Sequence, residues 1–304
     1  MKVAVTGASG LIGSVLAGTL RQGGDQVVTL VRRTPAAVDE IAWDPMAPSG
    51  GLSPDALDGV GAVVHLAGAG VADHRWTDAY KEEIRASRVR GTEALAGLLA
   101  AMDQPPAVLL SGSAIGWYGD TGGREVDESA PAGLGFLPSV VRDWEAAAEP
   151  ARAAGLRVAC LRSGIVLSRR GGVLGRVLPP FRLGLGARLG PGTQFMSWIT
   201  LTDWIRAAQF LLEQPELSGP VNITTPNPVT NAAFTAALGG VLHRPALLAI
   251  PSPVLSAALG GVTSDLLSSA RVRPGRLLDA GFTFSYPDLA SALAAELHAA
   301  GSAA

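Results

Sequence analysis

One cysteine, Cys160, is the only thiol in the chain, so no disulfide framework can form within it. That scarcity suits a reducing compartment, and a cytoplasmic location is the expectation. Charge is equally sparse. Lys and Arg number 24 against 26 Asp and Glu, for a net charge of −2, with no basic cluster and no acidic tail. Nucleic-acid binding therefore has no electrostatic support. Long apolar runs are missing as well, because the alanine-rich stretches are broken by charges before they reach membrane-spanning length. No membrane partner is expected. The first residues already read as a core strand, which speaks against a signal peptide. Four scattered histidines beside one cysteine make no ligand cluster, so no metal is expected. No internal repeat is apparent.

What the chain does have is apolar content, 48% of 304 residues, enough for one large or two small cores. Its most informative segment is the first. Val3-Ala4-Val5-Thr6 is a strand-like run, Gly7-Ala8-Ser9-Gly10-Leu11-Ile12-Gly13 follows, and Val15, Leu16 and Leu20 continue at helical spacing. A strand turning through glycines into a helix N-terminus is an anion-binding device. Gly7 permits the turn, Gly10 lets backbone approach a pyrophosphate, and Gly13 lets the helix pack close to the sheet. A glycine turn with no ligand is the competing reading.

Strand-like runs recur at residues 27–31, 61–66, 107–111 and 156–161, separated by helical stretches such as Thr77–Ala101. Runs apolar on both faces suit parallel strands covered by helices. The alternation predicts an α/β, Rossmann-type doubly wound parallel sheet. Residues 1–167 are expected to form the dinucleotide-binding domain, with 195–230 returning to it. Residues 168–194 and 231–304 are expected to form a smaller, mainly helical substrate or lid domain. The stretch 168–194, rich in Gly, Arg and Pro, reads as loop. Leu201–Leu212 and Thr230–Leu242 read as helices, the latter capped by Thr230 or Asn231.

The second strand ends in Val31-Arg32-Arg33, where an NAD site normally places an acidic residue. Arginine there matches the 2′-phosphate of NADP(H), which becomes the expected cofactor. Ordinary loop cations are the alternative. His65 reads as a packing histidine.

Further segments add up. They are His65-Leu-Ala-Gly68, Arg75-Trp76-Thr77, Lys81-Glu82-Glu83-Ile84-x-x-Ser87-Arg88-Val89-x-Gly91-Thr92, Ser111-Gly-Ser-Ala-Ile-Gly-Trp-Tyr118-Gly-Asp120, Asp143-Trp144-Glu145, Leu161-Arg-Ser-Gly-Ile-Val-Leu167, Ser197-Trp198-Ile199-x-x-x-Asp203 and Arg273-Pro-Gly-Arg-Leu-Leu278. Together they resemble the epimerase family proteins, an atypical group of extended short-chain dehydrogenases related to NAD(P)-dependent epimerases and dehydratases. Residues 249–297 resemble that group's small C-terminal domain of undefined function. The resemblance implies that Thr6, Gly7, Ser9, Gly10, Leu11, Ile12 and Gly13 hold the pyrophosphate. It implies Arg32 on the 2′-phosphate and Leu66, Ala67 and Gly68 under the adenosine half. It adds Glu83 and Arg88 as cofactor contacts on the long helix, and Gly164 and Ile165 near the nicotinamide. Substrate would be a small organic molecule, with a sugar nucleotide as one candidate. A homodimer through two helices, the segments Thr77–Ala101 and Leu137–Ala154, is implied as well.

The catalytic pattern departs from the family. Extended relatives pair a Ser or Thr with Tyr-x-x-x-Lys, the Lys lowering the Tyr pKa. Ser113 matches the serine. Alignment on Glu145 puts Leu137 and Val141 at the Tyr and Lys positions, and neither transfers a proton. Tyr118 is the substitute proton donor to weigh, against packing beside a turn. Trp76, Arg162 and Trp198 are candidates for shaping a substrate pocket, with core packing as the alternative. A non-catalytic NADP(H) sensor or scaffold is the second expectation.

Overall fold

The computed structural model describes residues 1–47, 51–259, 261, 263 and 267–298. The chain begins β1 (Lys2–Thr6), α1 (Leu11–Gln22), β2 (Gln26–Val31), β3 (Glu40–Ala42), β4 (Ala62–His65), α2 (Asp78–Ala100) and β5 (Val108–Ala114). A short β6 (Glu125–Val126) precedes α3 (Phe136–Ala146), α4 (Glu149–Ala153), β7 (Arg157–Ser163) and β8 (Ile165–Ser168). Then come α5 (Gly172–Arg182), β9 (Ala187–Leu189), β10 (Phe195–Met196), β11 (Trp198–Thr200), α6 (Leu201–Glu213) and β12 (Gly219–Ile223). The chain continues through β13 (Val229–Thr230), α7 (Asn231–Leu242), β14 (Leu248–Ile250), α8 (Ser252–Leu259), β15 (Arg271–Val272), α9 (Gly275–Asp279) and α10 (Leu289–His298).

Seven strands form one sheet in the order β12-β7-β5-β4-β1-β2-β3. β1 runs parallel to both β2 and β4, as β2 does to β3 and β4 to β5. The order reverses direction at β1: the chain steps out to β2 and β3, then crosses to β4 on the other side. In open α/β sheets that switch point is where ligands bind, outside the strand carboxyl ends. Here the ends are Thr6 and His65, and they are register partners. β1 is apolar from Val3 to Val5 and buried from Val3 to Thr6, and all four residues of β4 are buried. Burial on both faces is what a parallel strand beneath helices requires.

Two compact units share the chain. The first comprises Met1–Ala114, Ser139–Arg162 and Ala208–Val221. Its core joins Ala4, Leu30, Val63, Leu99, Leu109 and Cys160. The second comprises Ile115–Pro138, Ser163–Ala207 and Asn222–Ala304. Its core joins Leu174, Leu178, Phe181, Trp198, Phe234 and Leu293. The sequence boundary at residue 167 differs from this division, in which the chain first leaves unit one after Ala114 and leaves it again after Arg162.

Two local expectations are corrected. Residues 168–194 are not simply loop, since they contain α5 and β9. Leu174, Leu178 and Phe181 are buried at i, i+4 and i+7, and their packing outweighs the poor propensity of Pro179 and Pro180 inside the helix. The segment Leu137–Ala154 is two helices, α3 and α4, the second restarting with Pro150 in its first turn. Among the described residues no helix is long and apolar enough to cross a membrane.

Candidate dinucleotide site

The β1–α1 corner separates its three glycines by role. Gly7 sits at φ +68°, and a Cβ there would lie 2.8 Å from the backbone of Leu66. A Cβ on Gly13 would lie 2.3 Å from the Gly7 carbonyl oxygen, so only glycine lets α1 approach the turn this closely. Gly10 is different. It is exposed at φ −78°, its would-be Cβ meets only the Gly7 oxygen, at 3.2 Å, and its N–H donates to that oxygen at 2.9 Å. A Cβ at Gly10 would be in tight contact with that one oxygen, a far milder clash than at Gly7 or Gly13, and Gly10 is otherwise open. α1 starts without a side-chain cap and without an acidic residue in its first turn. By contrast, Thr77 caps α2 and Thr230 caps α7, each accepting a backbone N–H. The uncapped N–H groups of α1 and its dipole thus face outward beside exposed Ser9, ready for an anion.

Below the corner a buried network fixes the strand ends. Thr6 Oγ1 accepts from the N–H groups of Leu66 and Ala67, at 3.1 and 3.2 Å. Its own proton is left for His65 Nδ1, 2.7 Å away. Burial pushes the His65 imidazole down to about 4, so the ring is neutral and carries its proton on Nε2. Nε2 donates to Thr92 Oγ1 at 3.1 Å, and Trp144 Nε1 donates to the same oxygen at 2.9 Å. This network holds Leu66, Ala67 and Gly68 in place after β4. The Arg88 guanidinium lies 5.1 Å from the Trp144 ring centre, and a Cβ on Gly68 would touch the Arg88 side chain at 3.4 Å. Burial lowers the Arg88 pKa to about 10. Arg88 is thus a half-buried cation beneath the Gly68 turn, donating to the Ile84 carbonyl.

The two arginines after β2 part company. Arg33 is held by Glu40 through both guanidinium nitrogens, and this pairing keeps the Glu40 carboxyl below its usual range. Arg32 is exposed and has no hydrogen-bond or ion-pair partner among the described residues. Glu83 lies on the exposed side of α2, lining a pocket of about 410 Å³ with His74, Arg75, Thr77 and Tyr80. Trp76 donates to the Val71 carbonyl at 2.7 Å in the same segment.

The remaining candidates are held by internal partners. Ser113 donates to Glu145 Oε1 at 2.6 Å. Arg162 closes on both oxygens of that carboxylate, at 2.7 and 2.9 Å, and is 2% exposed. These three form a buried triad in the first unit. In the second unit, Tyr118 is buried and donates to Asn222 Oδ1 at 2.7 Å, while Asn222 Nδ2 donates to the Arg273 carbonyl. Gly164 packs so tightly that a Cβ would lie 2.7 Å from the Ser197 oxygen and from Thr224. Ile165 pairs with Trp198 across β8 and β11. Trp198 is fully buried in the core, its indole N–H donating to the Asn227 carbonyl. That is a packing position. Sequence reasoning did not assign Thr92, Trp144 or Glu145 to this framework, although all three lie in segments it singled out.

A family model described as the NAD dependent epimerase/dehydratase family matches residues 3–224. The chain belongs to that family. A second model, a domain of unknown function, matches residues 250–296. An epimerase family protein of Mycobacterium bovis is 48% identical over 292 residues, covering 96% of each chain. The crystal structure of human epimerase family protein SDR39U1 (isoform 2) with NADPH superimposes at a TM-score of 0.90 and 34% identity, over 98% of this chain and 99% of that one. A nucleoside-diphosphate sugar epimerase from Corynebacterium glutamicum gives 0.81 and 36%, over 98% of this chain and 58% of its own.

Proposed function

We propose that the chain binds NADPH at the β1–α1 corner and acts as an oxidoreductase or epimerase on a small molecule. The observation that carries this reading is the pairing of an uncapped, side-chain-free helix start with Arg32, a cation left without a partner among the described residues. The glycine positions fit the group. Gly7 and Gly13 shape the turn from within, and Gly10 is exposed, its would-be Cβ meeting one backbone oxygen at 3.2 Å. In this proposal Thr6 to Gly13 hold the pyrophosphate and Arg32 the 2′-phosphate. Leu66, Ala67 and Gly68 line the adenosine side, Glu83 and Arg88 are cofactor contacts on α2, and Gly164 and Ile165 line the nicotinamide side. The NADPH bound by human SDR39U1 supports the choice of cofactor.

When bound, the nicotinamide supplies or accepts hydride. The chain's own part is to hold the dinucleotide, with the Thr6–His65 network fixing the Leu66–Ala67 turn, and to offer Ser113 or Tyr118 for proton transfer. A sugar nucleotide is one candidate substrate, supported by the Corynebacterium relative. Residues 1–167 with 195–230 remain our proposal for the cofactor-binding part and 168–194 with 231–304 for the substrate part. A cytoplasmic homodimer completes it. Arg32→Ala is expected to weaken NADPH binding by about 1–3 kcal/mol, the scale of a lost charge-assisted contact, and to leave NADH unchanged. Equal loss for both in calorimetry rules the assignment out.

A second reading has its own support. Leu137 and Val141 stand where relatives carry Tyr and Lys, and the Ser113 and Tyr118 hydroxyl protons both go to internal acceptors. On that reading the chain is a non-catalytic NADP(H) sensor or scaffold. Nicotinamide absorbance over a panel of carbonyl compounds and sugar nucleotides separates the two. Turnover abolished by Ser113→Ala or Tyr118→Phe supports the enzyme. Tight NADPH binding with no turnover of any substrate supports the sensor.

A further inference from the structure

Five arginines and no carboxylate occupy residues 168–202, and residues 217–264 contain no Asp or Glu either. The second unit brings parts of these two segments together. β9 and β14 pair in parallel, with Leu248 opposite Ala187. Arg244 Nε donates to the Arg182 carbonyl at 3.1 Å, and a Cβ on Gly184 would touch Pro245 at 3.6 Å. The surface they make is apolar and cationic at once. Leu183 is 76% exposed and Leu247 90%, with Leu185 and Leu248 more than half exposed. Around them Arg182, Arg188 and Arg244 are exposed, and none forms an ion pair among the described residues.

Single exposed leucines are ordinary, but four on adjoining segments are not. Leu183 and Leu247, each more than three-quarters exposed, protrude from the surface. Exposed leucines interspersed with exposed arginines on the same two segments suit a surface that is fluid, apolar beneath and anionic above. We propose that this patch docks the chain on an anionic lipid surface, with the leucines entering the acyl boundary and the arginines on headgroup phosphates. The pattern left no trace as a membrane span, because the patch is assembled from two segments that are apart in sequence. Residues of the proposed dinucleotide corner take no part in it.

Co-sedimentation tests this with vesicles of phosphatidylcholine alone and with roughly a third phosphatidylglycerol. The chain should pellet with the anionic vesicles only, and less at high salt. Arg182→Gln and Arg188→Gln should each lower the partition about five-fold. Leu183→Ser with Leu247→Ser should abolish it, and their exposure leaves the fold and NADPH affinity intact as controls. No pelleting with anionic vesicles overturns the proposal, as does pelleting indifferent to the leucine changes. Concentration-dependent dimerisation lost in Leu247→Ser, without vesicle binding, would assign the patch to a second copy and overturn it. Binding to a polyglutamate peptide but not to vesicles would assign it to an acidic protein, with the same result.

Discussion

Replacing Gly10 and Gly13 separately by alanine divides ligand binding from packing at the same corner. At Gly13 the added methyl would sit 2.3 Å from the Gly7 carbonyl oxygen, far inside contact distance. Neither the turn nor α1 can yield without disturbing β1, which is buried beneath. Overpacking of this kind costs about 1–3 kcal/mol, and the rigid backbone neighbour argues for the upper end. In a chain of this size that lowers the unfolding temperature by roughly 2–5 °C. At Gly10 the methyl meets one oxygen at 3.2 Å, and φ −78° with ψ 170° suits any residue. Exchanging glycine for alanine at an N-cap costs about 1 kcal/mol, or roughly 2 °C. The methyl nevertheless occupies the face where a pyrophosphate meets the helix N–H groups. NADPH affinity should fall at least about ten-fold, which is 1.4 kcal/mol. Thermal unfolding and calorimetric titration on both variants read the two effects. Wild-type NADPH affinity in Gly10→Ala would refute the placement of the phosphates. Wild-type stability in Gly13→Ala would refute the packing role.

Three further outcomes are expected. His65 should stay neutral as the pH is lowered through 6.5 and titrate only near about 4, read from its ring resonances by NMR; a titration near 6.5 contradicts the buried network. Because its folded pKa is depressed, its linked contribution is complete above about pH 6.5 and is lost between there and pH 4, by about 3 kcal/mol in denaturant unfolding. Glu145→Gln strands the buried Arg162 and should cost about 3–5 kcal/mol, whereas Glu145→Leu with Arg162→Met should cost less than either change alone; additive losses refute the pairing. Tyr118→Phe should cost about 1–2 kcal/mol by leaving Asn222 Oδ1 without its donor, and an unchanged unfolding midpoint would contradict that bond.

The parts of the fold legible in sequence were those governed by local chemistry. Apolar runs marked β1, β2, β4, β5 and β7, and Thr77 marked the start of α2 as the cap it is. Thr230, not Asn231, caps α7, because the Asn231 side chain accepts instead from the Leu189 N–H. α5 escaped notice because glycines and prolines hide a helix that only its tertiary packing stabilises. In the site, the glycines were legible because turn geometry is written in single residues. The difference between Arg32 and Arg33 was not, since it depends on Glu40 arriving from β3. Nor was the Ser113–Glu145–Arg162 triad, whose members come from β5, α3 and β7. Spacing gives residue types, but it does not say which polar atoms are already paired inside.

Titrating the purified chain with NADPH and with NADH by calorimetry bears on the central claim most directly. A single saturable site for NADPH, with NADH at least about ten-fold weaker, is the predicted result. No measurable heat with either dinucleotide, confirmed by the absence of any thermal shift, would contradict it.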